Sequence, residues 1–289
     1  MDLPFATTTP MRAAASNQRA RFAVPALACD THFHVFEQGY PAVDDPQYTF
    51  PDGSLEQYLA MAEFLGIERM VLVQPTYYGV DNSLLLDTLG RLGDRARGVA
   101  RIADDISPGE LATLDLAGVR AIRLDLFERK GWSLEALREY VASMASLARS
   151  LGWHIQFYSP GALVRDLLPF LVTLDVPFVV DHMGYMRKSD GLEEAFQGLV
   201  TALSSGNCYV KLTGPYRVAG DAPLATVHDI GAALVKARAD RLLWGTDWPH
   251  LPDGGRDTGE LLNLLADWAP DEADRHQILA TTPDELFFR

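Results

Sequence analysis

Short, uninterrupted apolar runs recur along this chain, separated by longer stretches whose apolar residues return every three or four positions. A parallel strand covered on both faces reads as a continuous Val/Ile/Leu run, and an amphipathic helix as the wider spacing. Eight runs are strand candidates: Cys29 to His34, Met70 to Gln74, Gly98 to Ile102, Val119 to Leu124, His154 to Tyr158, Phe178 to Asp181, Cys208 to Leu212 and Arg241 to Trp244. Between them, Ser133-Leu134-Glu135 opens a helix that runs to Leu151-Gly152, where glycine suits a left-handed terminus. Leucines at 84, 85, 89 and 92 give a second helix, Ser83 to Leu92, one apolar stripe. The alternation predicts a (β/α)8 TIM barrel. An open doubly wound sheet is the alternative, and eight evenly spaced units suit it less.

No internal repeat, low-complexity tract or linker interrupts residues 25–289, which read as one domain behind an amino-terminal arm, residues 1–24. That arm carries Arg12, Arg19 and Arg21 but no apolar core of the signal-peptide kind. No run approaches a membrane span of about 20 residues. The stretch from Phe36 to Ser54 is an insertion after strand 1, on the face where a barrel does its chemistry. It is a candidate lid, offering Tyr40 and Tyr48 to a substrate.

The 289 residues are 48% hydrophobic and 22% charged, enough for a large core. A net charge of −14 argues against nucleic acid or an anionic membrane as partner. It leaves a small anionic substrate open, because local arginines decide a pocket. Cys29 and Cys208, the only cysteines, make neither a disulfide framework nor a Cys-x-x-Cys site, so a cytoplasmic protein is expected. Nothing in the pattern specifies an oligomeric state.

The candidate chemistry gathers where strands end. In Asp30-Thr31-His32-Phe33-His34 the two imidazoles are two residues apart and share one face of a strand. Trp244-Gly245-Thr246-Asp247-Trp248-Pro249-His250 follows strand 8, the neighbour of strand 1 in a closed barrel. Asp247 is the candidate general base; capping the next helix is its alternative role, which Trp248-Pro249 disfavours. His182, ending strand 6, offers a third imidazole or satisfies buried backbone, whereas His154 begins strand 5 on the opposite rim and reads as structural. Arg123 ends strand 4, Arg129 lies in the loop that follows and Arg217 in the loop after strand 7, and together they suit a substrate with more than one anionic group. Lys211 could form a Schiff base, but no neighbour in sequence lowers its pKa.

These motifs, with Val73-Gln74 before Gly79-Val80-Asp81-Asn82 and with Asp181-His182-Met183-Gly184, resemble the amidohydrolase superfamily, and within it the 2-pyrone-4,6-dicarboxylate lactonases, from Cys29 to the carboxyl terminus. The resemblance implies a hydrolase opening a small anionic di- or polycarboxylate lactone in aromatic catabolism. Asp247 would activate water while His32, His34 and His182 polarise the carbonyl. Arg123, Arg129, Arg217, Tyr48, Thr76, Tyr158 and His250 match substrate-contacting positions. Leu251-Pro252-Asp253 departs from the pattern where a polar amide is expected, and Tyr77-Tyr78 is bulkier than the pattern. Strand 4 offers no lysine for a binuclear centre and Tyr158-Ser159 no histidine, so a metal-free site is expected. One zinc on His32, His34, His182 and Asp247 is the alternative. Other readings are a muconolactone or sulfomuconolactone hydrolase, a sugar-acid lactone isomerase, a zinc-dependent decarboxylase and a non-catalytic anion-binding protein.

Overall fold

A computed structural model describes residues 18–289 apart from 47, 188, 189 and 253. Arg12 with most of the expected arm, and Asp253, lie outside the described residues. Eight strands form one parallel sheet in sequential order: β1 (Cys29–Phe33), β2 (Arg69–Val73), β3 (Ala96–Ala100), β4 (Val119–Asp125), β5 (His154–Tyr158), β6 (Phe178–Val180), β7 (Cys208–Leu212) and β8 (Leu242–Trp244). All eight expected strands are present, two with the expected ends and six with an end displaced by one or two residues. The sheet closes into a barrel just beyond β8. The Asp247 amide donates to His32 O at 2.8 Å, and the His34 amide donates to Trp248 O at 2.9 Å.

Helices α1 (Leu55–Leu65), α2 (Ser83–Leu92), α3 (Pro108–Leu116), α4 (Leu134–Ser150), α5 (Gly161–Leu171), α6 (Glu193–Ala202), α7 (Pro215–Ala219), α8 (His228–Arg238), α9 (Thr258–Trp268) and α10 (Glu272–His276) lie between and after the strands. Their starts follow from local chemistry. Ser54 and Ser107 cap α1 and α3 in reciprocal capping boxes, and the Ser133 hydroxyl accepts the Ala136 amide at the start of α4. Residues 18–21 are tied to α9: Gln18 N donates to Asp257 Oδ2 at 3.1 Å and Arg21 N to Asn263 Oδ1 at 2.7 Å. No helix among the described residues is long and apolar enough to cross a membrane.

The strand period of two divides the core. Phe33, Met70, Leu72, Ile122, Ile155 and Phe178 face the helices. Inside the barrel, Cys29, Val71, Val73, Val99, Ala121, Val179 and Leu243 form a small apolar floor that Phe287 closes from below. The same inward rows turn polar toward the carboxyl end, placing Arg123, Gln156 and Lys211 above the floor. His154 is at the bottom, buried edge-on against Phe287, ring centroids 4.9 Å apart.

Candidate active site

The site sits where the barrel closes, and buried polar bonds fix that closure. Asp30 accepts from the backbone of His32 (3.0 Å) and Thr246 (2.9 Å), and from the hydroxyls of Thr246 (2.7 Å) and Tyr58 (3.0 Å). Burial nonetheless pushes its pKa up to about 6. Gly245 lets the two segments touch: a Cβ there would stand 2.7 Å from His32 N.

Four groups converge beyond this brace. Asp247 Oδ1 is 3.7 Å from His34 Nε2, 3.8 Å from His32 Nε2 and 4.0 Å from His182 Nε2. Burial lowers the pKa of all three imidazoles, that of His182 to about 4, so they are neutral at pH 7. Proton placement then follows from their outer partners. His34 Nδ1 is 2.8 Å from Val73 O, which only accepts, so the proton is on Nδ1 and Nε2 is a bare acceptor. Thr213 Oγ1 accepts the His182 amide at 3.3 Å and lies 2.8 Å from His182 Nδ1. Its hydroxyl can donate to that nitrogen and leave His182 with an Nε2–H.

Asp247 is fully buried, and its second oxygen is held by Arg217 Nε at 2.6 Å and by the Tyr216 hydroxyl at 2.5 Å. Burial alone would raise its pKa, but the Arg217 guanidinium beside it outweighs that and holds it well below the usual carboxylate range. The backbone is left-handed at His182 (φ 53°), Met183 (50°), Tyr185 (53°), Asp247 (58°) and His250 (66°). Such φ values disfavour residues with a Cβ and collect at functional sites. Gly214 (φ 53°) lets β7 pass: a Cβ there would meet His182 Nδ1 at 2.9 Å and Asp247 Oδ2 at 3.1 Å.

Above the cluster lies a cleft that opens to solvent. His34, His182, Arg123, Arg217, Tyr48, Thr76 and Tyr158 line it, with Leu251, Pro75 and Pro252 as its apolar wall. Arg123 lies 4.7 Å from the Tyr158 ring centroid and donates to Gln74 O at 2.8 Å. Thr76 donates to Asp125 Oδ2 at 3.0 Å. Three expected contacts stand elsewhere. Arg129 is drawn to the rings of Tyr140 (4.3 Å) and Trp132 (5.2 Å), outside the cleft lining. His250 is buried behind Asp247, with Nε2 3.3 Å from Thr258 Oγ1. Tyr40 is turned away and donates to Asp87 at 2.8 Å.

Sequence reasoning missed Tyr216 and the polar group under His32. Tyr216 adjoins the singled-out Arg217, and that adjacency was the available signal. Beneath His32, the fully buried Lys211 donates to Thr31 O (2.7 Å) and Gln156 Oε1 (2.8 Å), and Gln156 Nε2 donates to Asp181 Oδ2 (3.1 Å). Burial lowers the Lys211 pKa to about 8, yet the amine is bound among acceptors under the histidines rather than open to the cleft as a Schiff base requires.

His32, His182 and Asp247 each offer a ligand atom within 4.8 Å of the other two, and His32 Nε2 and Asp247 Oδ1 are buried without a hydrogen-bond partner. This nitrogen–oxygen set fits one divalent cation of the zinc class, held by these three residues with His34 alongside. Such an ion supplies acidification of a bound water and polarisation of a carbonyl. A water donating to the same acceptors fits as well.

Residues 29–289 match the family model described as amidohydrolase. The chain is 36% identical over 274 residues to a 4-sulfomuconolactone hydrolase from Rhizobium radiobacter, covering 92% of this chain and 91% of that one. It is 32% identical over 289 residues to a 2-pyrone-4,6-dicarboxylate hydrolase from Comamonas testosteroni, covering 95% and 94%. The crystal structure of a probable 2-pyrone-4,6-dicarboxylic acid hydrolase from Acinetobacter baumannii with citric acid bound superposes with a TM-score of 0.79. It is 25% identical and the match covers 91% of this chain and all of that one.

Proposed function

The chain belongs to the amidohydrolase family, and from that premise we propose that it hydrolyses the ring ester of a small lactone bearing one or two anionic groups. One observation carries the reading: a buried carboxylate oxygen faces three imidazole nitrogens at 3.7–4.0 Å beneath a cleft walled by Arg123 and Arg217. The relatives named for sulfonated and dicarboxylated lactones support the anionic class.

Water held between Asp247 Oδ1 and the bare His34 Nε2 gives its proton to Asp247 as its oxygen adds to the lactone carbonyl. His182, through Nε2–H, donates to the oxyanion that develops. Arg123 and the outer nitrogens of Arg217 hold the anionic substituents, and Tyr48 and Tyr158 flank the ring. Collapse breaks the ring C–O bond, and Asp247 returns the proton to the departing oxygen. His34 is here a water-orienting acceptor, since a neutral ring with its proton on Nδ1 has none to give from Nε2. The two buried, unpaired cysteines suit a reducing cytoplasm.

The test is to incubate purified protein with 2-pyrone-4,6-dicarboxylate and with 4-sulfomuconolactone, following ring absorbance and acid release. Loss of the lactone with one new acid group per ring supports hydrolysis. Loss of absorbance without new acid is isomerisation, and unchanged lactones under all metal conditions reject the reading.

A further inference from the structure

Within that reading, the polar group under His32 assigns one more role. Asp181, directly after β6, points down into the barrel rather than at the cleft. Gln156 Nε2 donates to its Oδ2 at 3.1 Å, and the other Gln156 terminus accepts from Lys211 at 2.8 Å. Lys211 also donates to Thr31 O at 2.7 Å, so two of its N–H bonds are committed. Asp181 Oδ1 has no such bond; it lies 3.4 Å from His32 Nδ1 and 3.8 Å from Lys211 Nζ, and Lys211 Nζ is 3.5 Å from His32 Nδ1.

Two proton placements on a neutral His32 are open. If Nε2 carries the proton, Nδ1 competes with Asp181 Oδ1 for the last lysine proton, and one of two fully buried acceptors goes without a donor. If Nδ1 carries it, the ring offers that proton to Asp181 Oδ1, 3.4 Å away, and no acceptor on the barrel floor lacks a donor within reach. Buried polar groups take the arrangement that leaves none unpaired. A neutral lysine would accept the same Nδ1 proton, so the outcome does not depend on its charge.

We infer that Asp181, clamped by Gln156 and Lys211, is a positioning residue that holds the His32 proton on Nδ1 and presents a bare Nε2 to the reacting water. His32 and His34 then both face Asp247 Oδ1 as acceptors. A water can donate to two of these three acceptors at once, with both protons directed away from the lactone, and a cation can meet all three. Such a water keeps its oxygen's lone pair free for attack. This deepens the lactone reading without requiring a particular substrate.

The test is the two-bond proton–nitrogen correlation spectrum of the histidine rings in native, chelator-treated protein, with His32 assigned by its absence in His32→Asn. An Nδ1–H pattern for His32 is expected, and an Nε2–H pattern overturns the inference. The charge-balanced double variant Asp181→Leu/Lys211→Met removes the floor acceptor. In it the proton should move to Nε2 and kcat fall roughly 100-fold, with KM within about threefold of wild type. A folded double variant with native tautomer and native kcat also overturns it. If the double variant does not fold, the native spectrum decides alone. That spectrum needs no lactone, so failure of the substrate reading and failure of this inference are separate results.

Discussion

Replacing Arg217 by Gln should expose how strongly the structure suppresses the basicity of Asp247. The guanidinium bonds the carboxylate at 2.6 Å in a pair whose partners are 12% and 0% exposed. With charge centres about 4 Å apart and an effective dielectric of about 20, the attraction is about 4 kcal/mol. Its loss raises the Asp247 pKa. The sign follows from the role: Asp247 must be ionised to accept a proton, and Arg217 keeps it ionised into acid. The acidic limb of the kcat/KM profile should therefore move to higher pH in Arg217→Gln, and much less in Arg217→Lys, which keeps the charge. Tyr216, still donating at 2.5 Å, limits the rise. The assay is kcat/KM between pH 4 and 9 on whichever lactone is accepted, with thermal melts confirming that each variant is folded. An acidic limb that stays in place while activity falls would show that Arg217 serves only the substrate, and the coupling argument would be wrong.

Asp247→Asn should lower kcat by about 10²–10⁴-fold while ligand affinity changes little, measured by single-turnover kinetics and calorimetry. Arg123→Met should raise KM by about 10- to 100-fold, the worth of a lost charged hydrogen bond at about 1.5–3 kcal/mol, whereas Arg129→Met, outside the cleft lining, should leave KM within about twofold. Equal effects in the two would show that Arg129 swings into the cleft on binding. His154 is buried and its pKa is lowered from 6.5 to about 3, chiefly by burial. The unfolded chain thus binds the extra proton between those values: the contribution is fully present above about pH 6.5 and is lost as pH falls toward 3, up to ~5 kcal/mol. Urea melts of His154→Phe should show a shallower acid dependence over that window than wild type.

The barrel was legible because each buried strand is a short apolar run followed by a helix, and the helices after β1, β3, β4 and β8 open at a side-chain cap. The strand ends slipped where a charged residue begins a strand, as Arg69 does, or where the inward row turns polar, as at Asp125. His32, His34, His182 and Asp247 were legible as residues that end strands. Their protonation was not, because it depends on Val73 O and Thr213, which reach the rings only across neighbouring strands. Lys211 and Gln156 lie 55 residues apart and meet only inside the barrel. Arg129 shows the converse: a guanidinium on the right loop was captured by Trp132 and Tyr140.

The left-handed backbone at His182, Asp247 and His250 bears on how this chain would evolve. Each position favours glycine and tolerates asparagine, and most other side chains cost there roughly 1–2 kcal/mol. Selection for heat resistance alone would drift toward glycine or asparagine at His182 and His250, whereas at Asp247 the loss of the buried Arg217 pair outweighs the backbone gain. A screen that scores only folding should therefore enrich damaging substitutions at His182, and positions where thermal tolerance and turnover move oppositely would map that part of the site.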